Sequence, residues 1–153
     1  MEKNLQVNDI MTKEVVTFSP DMPISDAANV LVTRNFTGAP VVDEYGKLAG
    51  IVTEADFLIR GEAIHLPTFL HLFSQVKVFH KDEARFKQEF YKFLNTKVKD
   101  IMTKEVITVE PEVSVEELAR FITLKRINPV PVVSQGKLVG IVSRSDIVKI
   151  FQL

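Results

Sequence analysis

Apolar positions along this chain keep two rhythms, and the same succession of rhythms runs twice. Val15-Val-Thr-Phe18 is a β-branched and aromatic run closed by Ser19-Pro-Asp21, which predicts a strand and a turn. Ile24, Ala27, Ala28, Leu31 and Val32 then recur at helical spacing, and that helix is expected to end near Arg34-Asn35. Ala39-Pro-Val-Val42 reads as a short buried strand, with Pro40 tolerable near its start. Asp43-Glu-Tyr-Gly46 supplies a hairpin turn and Leu48 to Val52 the partner strand. A second helix opens at Thr53 and carries Ala55, Phe57, Leu58 and Ile59. In the second copy, Ser114-Val-Glu-Glu117 forms a capping-box start to a helix whose apolar face is Val115, Leu118, Phe121 and Ile122. Each unit is therefore β-α-β-β-α, behind a short helical turn that in the first copy is Val7-Asn-Asp-Ile-Met11.

The repetition is also literal. Asp9-Ile-Met-Thr-Lys-Glu-Val15 returns as Asp100-Ile-Met-Thr-Lys-Glu-Val106, and Gly46-Lys-Leu-Ala-Gly-Ile-Val-Thr-Glu-Ala-Asp56 as Gly136-Lys-Leu-Val-Gly-Ile-Val-Ser-Arg-Ser-Asp146. A unit of about fifty residues buries too little surface to be stable alone, so the two copies are expected to fold against each other. The predicted fold is α/β in the broad sense, more narrowly α+β. It has two tandem repeats about a pseudo-twofold axis, over residues 7–60 and 100–153, and a ligand cleft between them at the strand ends.

Residues 61–99 belong to neither repeat. Leu66, Phe69, Leu70, Phe73 and Val76 keep helical spacing, as do Phe86, Phe90, Phe93 and Leu94, which predicts a helical hairpin inserted between the copies. The segment holds six of the eleven phenylalanines and seven Lys/Arg against four Asp/Glu. It fits best a cover over apolar surface of the repeats, with a dimer contact or a mobile cap over the cleft as the alternative.

Composition narrows the function. Net charge is −1, so nothing points to a general nucleic-acid binder. Cysteine is absent, which removes disulfides and thiolate chemistry and fits a reducing cytosol. The N-terminus lacks the apolar core of a signal peptide, and no apolar run approaches a membrane span. A cytoplasmic protein is the expectation. His65, His71 and His80 all lie in the inserted segment at spacings that put no pair on adjacent helical turns, so no metal site is expected. No nucleophile–base pairing is visible, which argues against a hydrolase.

The candidate chemistry is the element glycine, apolar pair, hydroxyl, two variable residues, aspartate, which ends both repeats. Thr53-x-x-Asp56 and Ser143-x-x-Asp146 fit N-caps of the second helices. The same geometry also fits a ligand. A helix start with a hydroxyl suits a phosphate, and an aspartate one turn in can accept hydrogen bonds from the vicinal hydroxyls of a ribose.

With both copies present in this order, the chain resembles a pair of CBS domains, the cystathionine-β-synthase-type regulatory domains also called a Bateman module. The resemblance covers residues 9–60 and 100–151 through the Asp-Ile-Met-Thr opening, the Pro-Val-Val strand and the Gly-x-x-Thr/Ser-x-x-Asp close. It implies a non-catalytic sensor of an adenosine-containing ligand (AMP, ADP, ATP or a relative) that needs no cofactor and reports to an unidentified effector protein, with a homodimer as the default assembly. Carried over residue by residue, the preferred site joins Thr17, Thr37, Gly38 and Ala39 to Ser143, Arg144 and Asp146. The second joins Thr108, Asn128 and Val130 to Thr53 and Asp56. The first is favoured because Gly38 admits close backbone approach and Arg144 attracts phosphate, whereas Pro129 deletes a donor and Glu54 repels phosphate in the second. The competing reading is a pair that has lost its ligand and serves only as a dimerisation module.

Overall fold

Each repeat is organised on a two-stranded antiparallel hairpin. Strand β1 (Gly38–Val42) pairs with β2 (Leu48–Thr53), and β3 (Val130–Ser134) with β4 (Lys137–Val142), in a computed structural model that describes residues 4–59, 88, 91, 92 and 95–152. The described helices are α1 (Val7–Ile10), α2 (Ile24–Arg34), α3 (Glu54–Ile59), α4 (Val98–Ile101), α5 (Val115–Lys125) and α6 (Arg144–Lys149), with a 3-10 turn over Ile150–Gln152.

Helices α2 and α5 begin and stop for local reasons. The Ser114 hydroxyl accepts from the Glu117 N–H at 3.1 Å and starts α5. Asn35 and Arg126 end the two helices in the left-handed conformation, at φ 54° and 53°. The buried stripe of α2 is Ile24, Ala27 and Leu31. Val32, expected on that face, is instead 79% exposed, because it lies one step of helical rotation beyond Leu31. The strand expected over Val15–Phe18 is reduced to one parallel bridge: Phe18 donates to the Pro40 carbonyl and accepts from Val42. Val109 makes the matching bridge to Val132 in the second copy.

The two cores are not partitioned as the repeats are. Val98, Ile101 and Met102, in and just after the short helix that leads from the inserted segment into the second repeat, are buried with Phe18, Leu31, Val41 and Val52 of the first. Val7, which opens the first, is buried with Leu118, Ile122, Val132 and Val142 of the second. Each leader helix has been exchanged. Backbone bonds hold the exchange reciprocally: Val7 N–H donates to Val113 O and Val98 N–H to Met22 O, at 2.9 and 2.8 Å. Thr12 then bridges Ile141 and Thr103 bridges Ile51, each through a pair of N–H···O bonds. Such mutual contacts are what a pseudo-twofold axis generates. Burying Val7 and Val98 completely contributes about 1.5–3 kcal/mol each, which ties the stability of each repeat to its partner's leader.

Gly50 and Gly140 permit this docking. A Cβ on Gly50 would stand 2.7 Å from the Met102 sulfur and 2.9 Å from the Thr103 carbonyl. One on Gly140 would meet Met11 and Thr12 in the same way. The glycine of the closing motif therefore serves the leader strand of the other repeat.

One ion-pair cluster links the leader of the second repeat to the first. Asp21 Oδ1 lies 2.7 Å from Lys99 Nζ and 3.4 Å from Lys97 Nζ. The hydrogen bond and charge of Lys99, then those of Lys97, hold the Asp21 carboxyl below its usual value, and Asp21 raises Lys99 in return. A depressed carboxylate contributes stability above its unfolded pKa, which is lost as pH falls through the folded one. Asp21→Asn is thus expected to lower the melting temperature slightly near neutrality and to converge with wild type well below pH ~3.9. A difference that persists in acid would assign the loss to another cause.

In the inserted segment, Tyr91, Lys92 and Asn95 are helical, and the Thr96 hydroxyl caps back to the Lys92 carbonyl at 2.7 Å. The phenylalanines that predict the hairpin, at 69, 73, 86, 90 and 93, lie outside the described residues, as do His65, His71 and His80.

Candidate functional site between the repeats

Two cavities open along the seam, of about 470 and 460 Å³. Both fall in the ~300–1,000 Å³ span of small-molecule sites. The first is lined by Thr37 and Gly38 from the start of β1 and by Ser143, Arg144 and Asp146 from the start of α6. The second brings Thr53 together with Asn128. Thr17, Ala39, Thr108, Val130 and Asp56 line neither cavity. Ala39 and Val130 point into the cores, at 1% and 0% exposure. The segments around Thr17 and Thr108 do reach the cavities, but through Val15 and Val16 in the first and through Val106 and Ile107 in the second.

The two aspartates, equivalent in sequence, differ in what their second oxygen does. In both, Oδ2 reaches back to the N-cap residue. Asp56 accepts from the Thr53 N–H and hydroxyl at 2.8 and 3.0 Å, and Asp146 from those of Ser143 at 2.8 and 2.7 Å. The Asp56 Oδ1 is then taken by the Thr103 hydroxyl of the exchanged leader at 3.1 Å, leaving the residue only 9% exposed. Asp146 is nearly as enclosed, its side chain 11% exposed, but among the described residues its Oδ1 meets only Lys149 Nζ at 3.0 Å, a side chain that is itself 67% exposed. Thr12, the counterpart of Thr103, lines the first cavity and makes no such bond. Asp56 thus has both oxygens engaged within the protein, while Asp146 keeps an oxygen with a solvent-facing partner at a cavity wall.

Asn128 belongs to neither site alone. Its amide donates to the Thr37 hydroxyl at 3.2 Å and its carbonyl accepts from the Arg144 N–H at 2.8 Å, so it joins the repeats at the wall between the cavities. One N–H of the α6 start is therefore already committed. Gly38, which lines the first cavity, is also tightly packed. A Cβ there would meet the Val52 carbonyl, Pro129 and Thr53 at 2.8–2.9 Å, so its small size serves inter-repeat packing.

Charge separates the cavities. The first is lined by Arg34, Arg144 and Lys149 against Glu14 and Asp146, the second by Arg126 and Arg144 against Glu54 and Glu105. Arg34 and Arg126 were not singled out from sequence. Arg34 is the last residue of α2 and Arg126 the left-handed cap of α5, one position apart when the copies are aligned, and the basic residue each copy carries at its helix end was the available signal. Among the described residues there is no cluster of three or more metal-ligating side chains, and no helix long and apolar enough to cross a membrane.

Known proteins share this fold. The CBS domain family model matches twice, at residues 7–61 and 98–153. An uncharacterised protein of Methanocaldococcus jannaschii is 32% identical over 94% of this chain and 89% of its own length. Other curated relatives are longer, and the chain spans 23% of one and 43% of another. Among solved structures, CBSX2 in complex with AMP is 27% identical with a TM-score of 0.70, covering 96% of both chains. The CBS domain pair of protein MJ0100, in complex with methylthioadenosine and S-adenosyl-L-methionine, is 28% identical with a TM-score of 0.72, covering 98% of both. Two matched repeats, reciprocal leaders and paired inter-repeat cavities all agree: the chain belongs to the CBS-domain family, as a tandem CBS pair.

Proposed function

We propose that this CBS pair is a non-catalytic regulatory module that binds an adenosine-containing ligand (AMP, ADP, ATP or a relative) in the first cavity. The observation that carries this is the Asp146 carboxylate. It is oriented by Ser143 through Oδ2 and keeps Oδ1 beside an exposed lysine, next to an Arg144 side chain that has no partner among the described residues. Oδ1 suits the vicinal hydroxyls of a ribose, Arg144 and Lys149 suit a phosphate, and the apolar Val15, Val16 and Phe36 suit a base. The adenosine ligands of CBSX2 and the MJ0100 pair support the ligand class.

The ligand would bridge Thr37 and Gly38 of one repeat and residues 143–146 of the other, so occupancy changes the angle or rigidity between repeats rather than either fold. A coupling of about 1–3 kcal/mol is the scale such a shift provides. A cytoplasmic homodimer that passes this change to an effector protein completes the reading.

Comparing adenosine, AMP and ATP by calorimetry on wild type and Arg144→Ala tests it. The nucleotides should bind more tightly than adenosine, and the variant should weaken them by about 1.5–3 kcal/mol while leaving adenosine unchanged. Arg144 is exposed, so the variant should fold normally. Equal affinities throughout, unaffected by the variant, would remove the phosphate from the mechanism.

A further inference from the structure

The two cavities share one wall. Thr37, Asn128, Pro129 and Arg144 line both. Asn128 clamps that wall from its two ends, through the Thr37 hydroxyl and the Arg144 backbone N–H, which fixes where the Arg144 side chain begins. That side chain is exposed and makes no ion pair or hydrogen bond among the described residues, so it can turn to either side. The cavities differ in what they keep without it. The first retains Arg34 and Lys149 against Glu14 and Asp146, a balanced lining. The second retains Arg126 alone against Glu54 and Glu105, an excess of negative charge.

We infer that the two cavities compete for Arg144, so that a chain holds one anionic nucleotide tightly in the first cavity and a second only weakly in the other. This rests on the nucleotide reading above and adds to it a direction of coupling. An anion in the first cavity captures the one guanidinium common to both, and the second cavity then repels the next anion. Coupling is reciprocal, so emptying the first cavity must strengthen binding in the second by the same factor, and couplings of this kind span about 5–150-fold.

Amide NMR titration with AMP distinguishes the cavities, because Val16 and Ser145 line only the first and Glu105 and Ile107 only the second. In wild type the first pair should saturate early, with the second pair responding only at AMP concentrations at least ~5-fold higher. In Asp146→Ala, which disables the first cavity, Glu105 and Ile107 should respond at lower AMP than they do in wild type. Glu54→Gln/Glu105→Gln, both at exposed positions, should bring the two responses together. Simultaneous saturation in wild type, or a second-cavity response unmoved by Asp146→Ala, overturns the competition while leaving nucleotide binding intact. No response at either cavity to AMP, ATP or S-adenosylmethionine overturns the ligand reading and the competition with it.

Discussion

Ile101→Ala is expected to unfold the repeat to which Ile101 does not belong in sequence. The side chain is 5% exposed and sits in one core with Phe18, Leu31 and Val41. Truncating a buried isoleucine to alanine costs about 2–5 kcal/mol, a large share of the ~5–15 kcal/mol that holds a typical domain folded. The melting temperature should fall by roughly 4–20 °C for a chain of this size. Location is the sharper readout. Hydrogen exchange should show protection lost first between residues 18 and 52, with residues 109–142 following. Early loss confined to the second repeat would mean that the leaders are not exchanged.

The two aspartates should separate stability from binding. Asp56→Ala strands the Thr53 N–H, the Thr53 hydroxyl and the Thr103 hydroxyl, all of which its carboxylate satisfies. These donors are partly buried and line the second cavity, so the loss should fall at the lower end of the about 1–3 kcal/mol that an unpaired buried donor costs. AMP affinity at the first cavity should survive in that variant. Asp146→Ala removes a cap, a loss of about 0.5–2 kcal/mol, but its larger effect should be a roughly ten- to hundredfold weaker affinity for AMP as the ribose contact goes. Thermal melts and calorimetric titration of both variants decide the matter. If Asp56→Ala loses AMP as completely as Asp146→Ala, the assignment of one structural and one ligand-facing aspartate is wrong.

The aspartates also mark how far the motif alone carries. Thr53-x-x-Asp56 and Ser143-x-x-Asp146 fit both a helix cap and a ribose contact, and the structure shows the cap in both copies. What distinguishes them is Thr103, which lies 47 residues from Asp56 and reaches it only because the leader of the second repeat docks on Ile51. Gly38 is similar. A glycine before a buried strand suggests close approach by something, and only the packing of Pro129 and Val52 against it identifies what approaches.

Local chemistry and repetition were enough to encode the helix ending at Asn35, the two hairpins, the cap at Ser114 and the tandem α+β architecture. Hydrophobic period, turn residues and capping side chains act over a few neighbours, and the literal repeat supplied the symmetry. Tertiary structure alone decided that the leaders are exchanged, that Val32 stays in water while Val7 and Val98 vanish from it, and that Asn128 and Arg144 stand between two cavities. Near-identical leaders fit either core as far as their own residues show. Which core each enters, and which side chains then meet across the seam, depends on contacts between residues far apart in the chain, where no local pattern reaches.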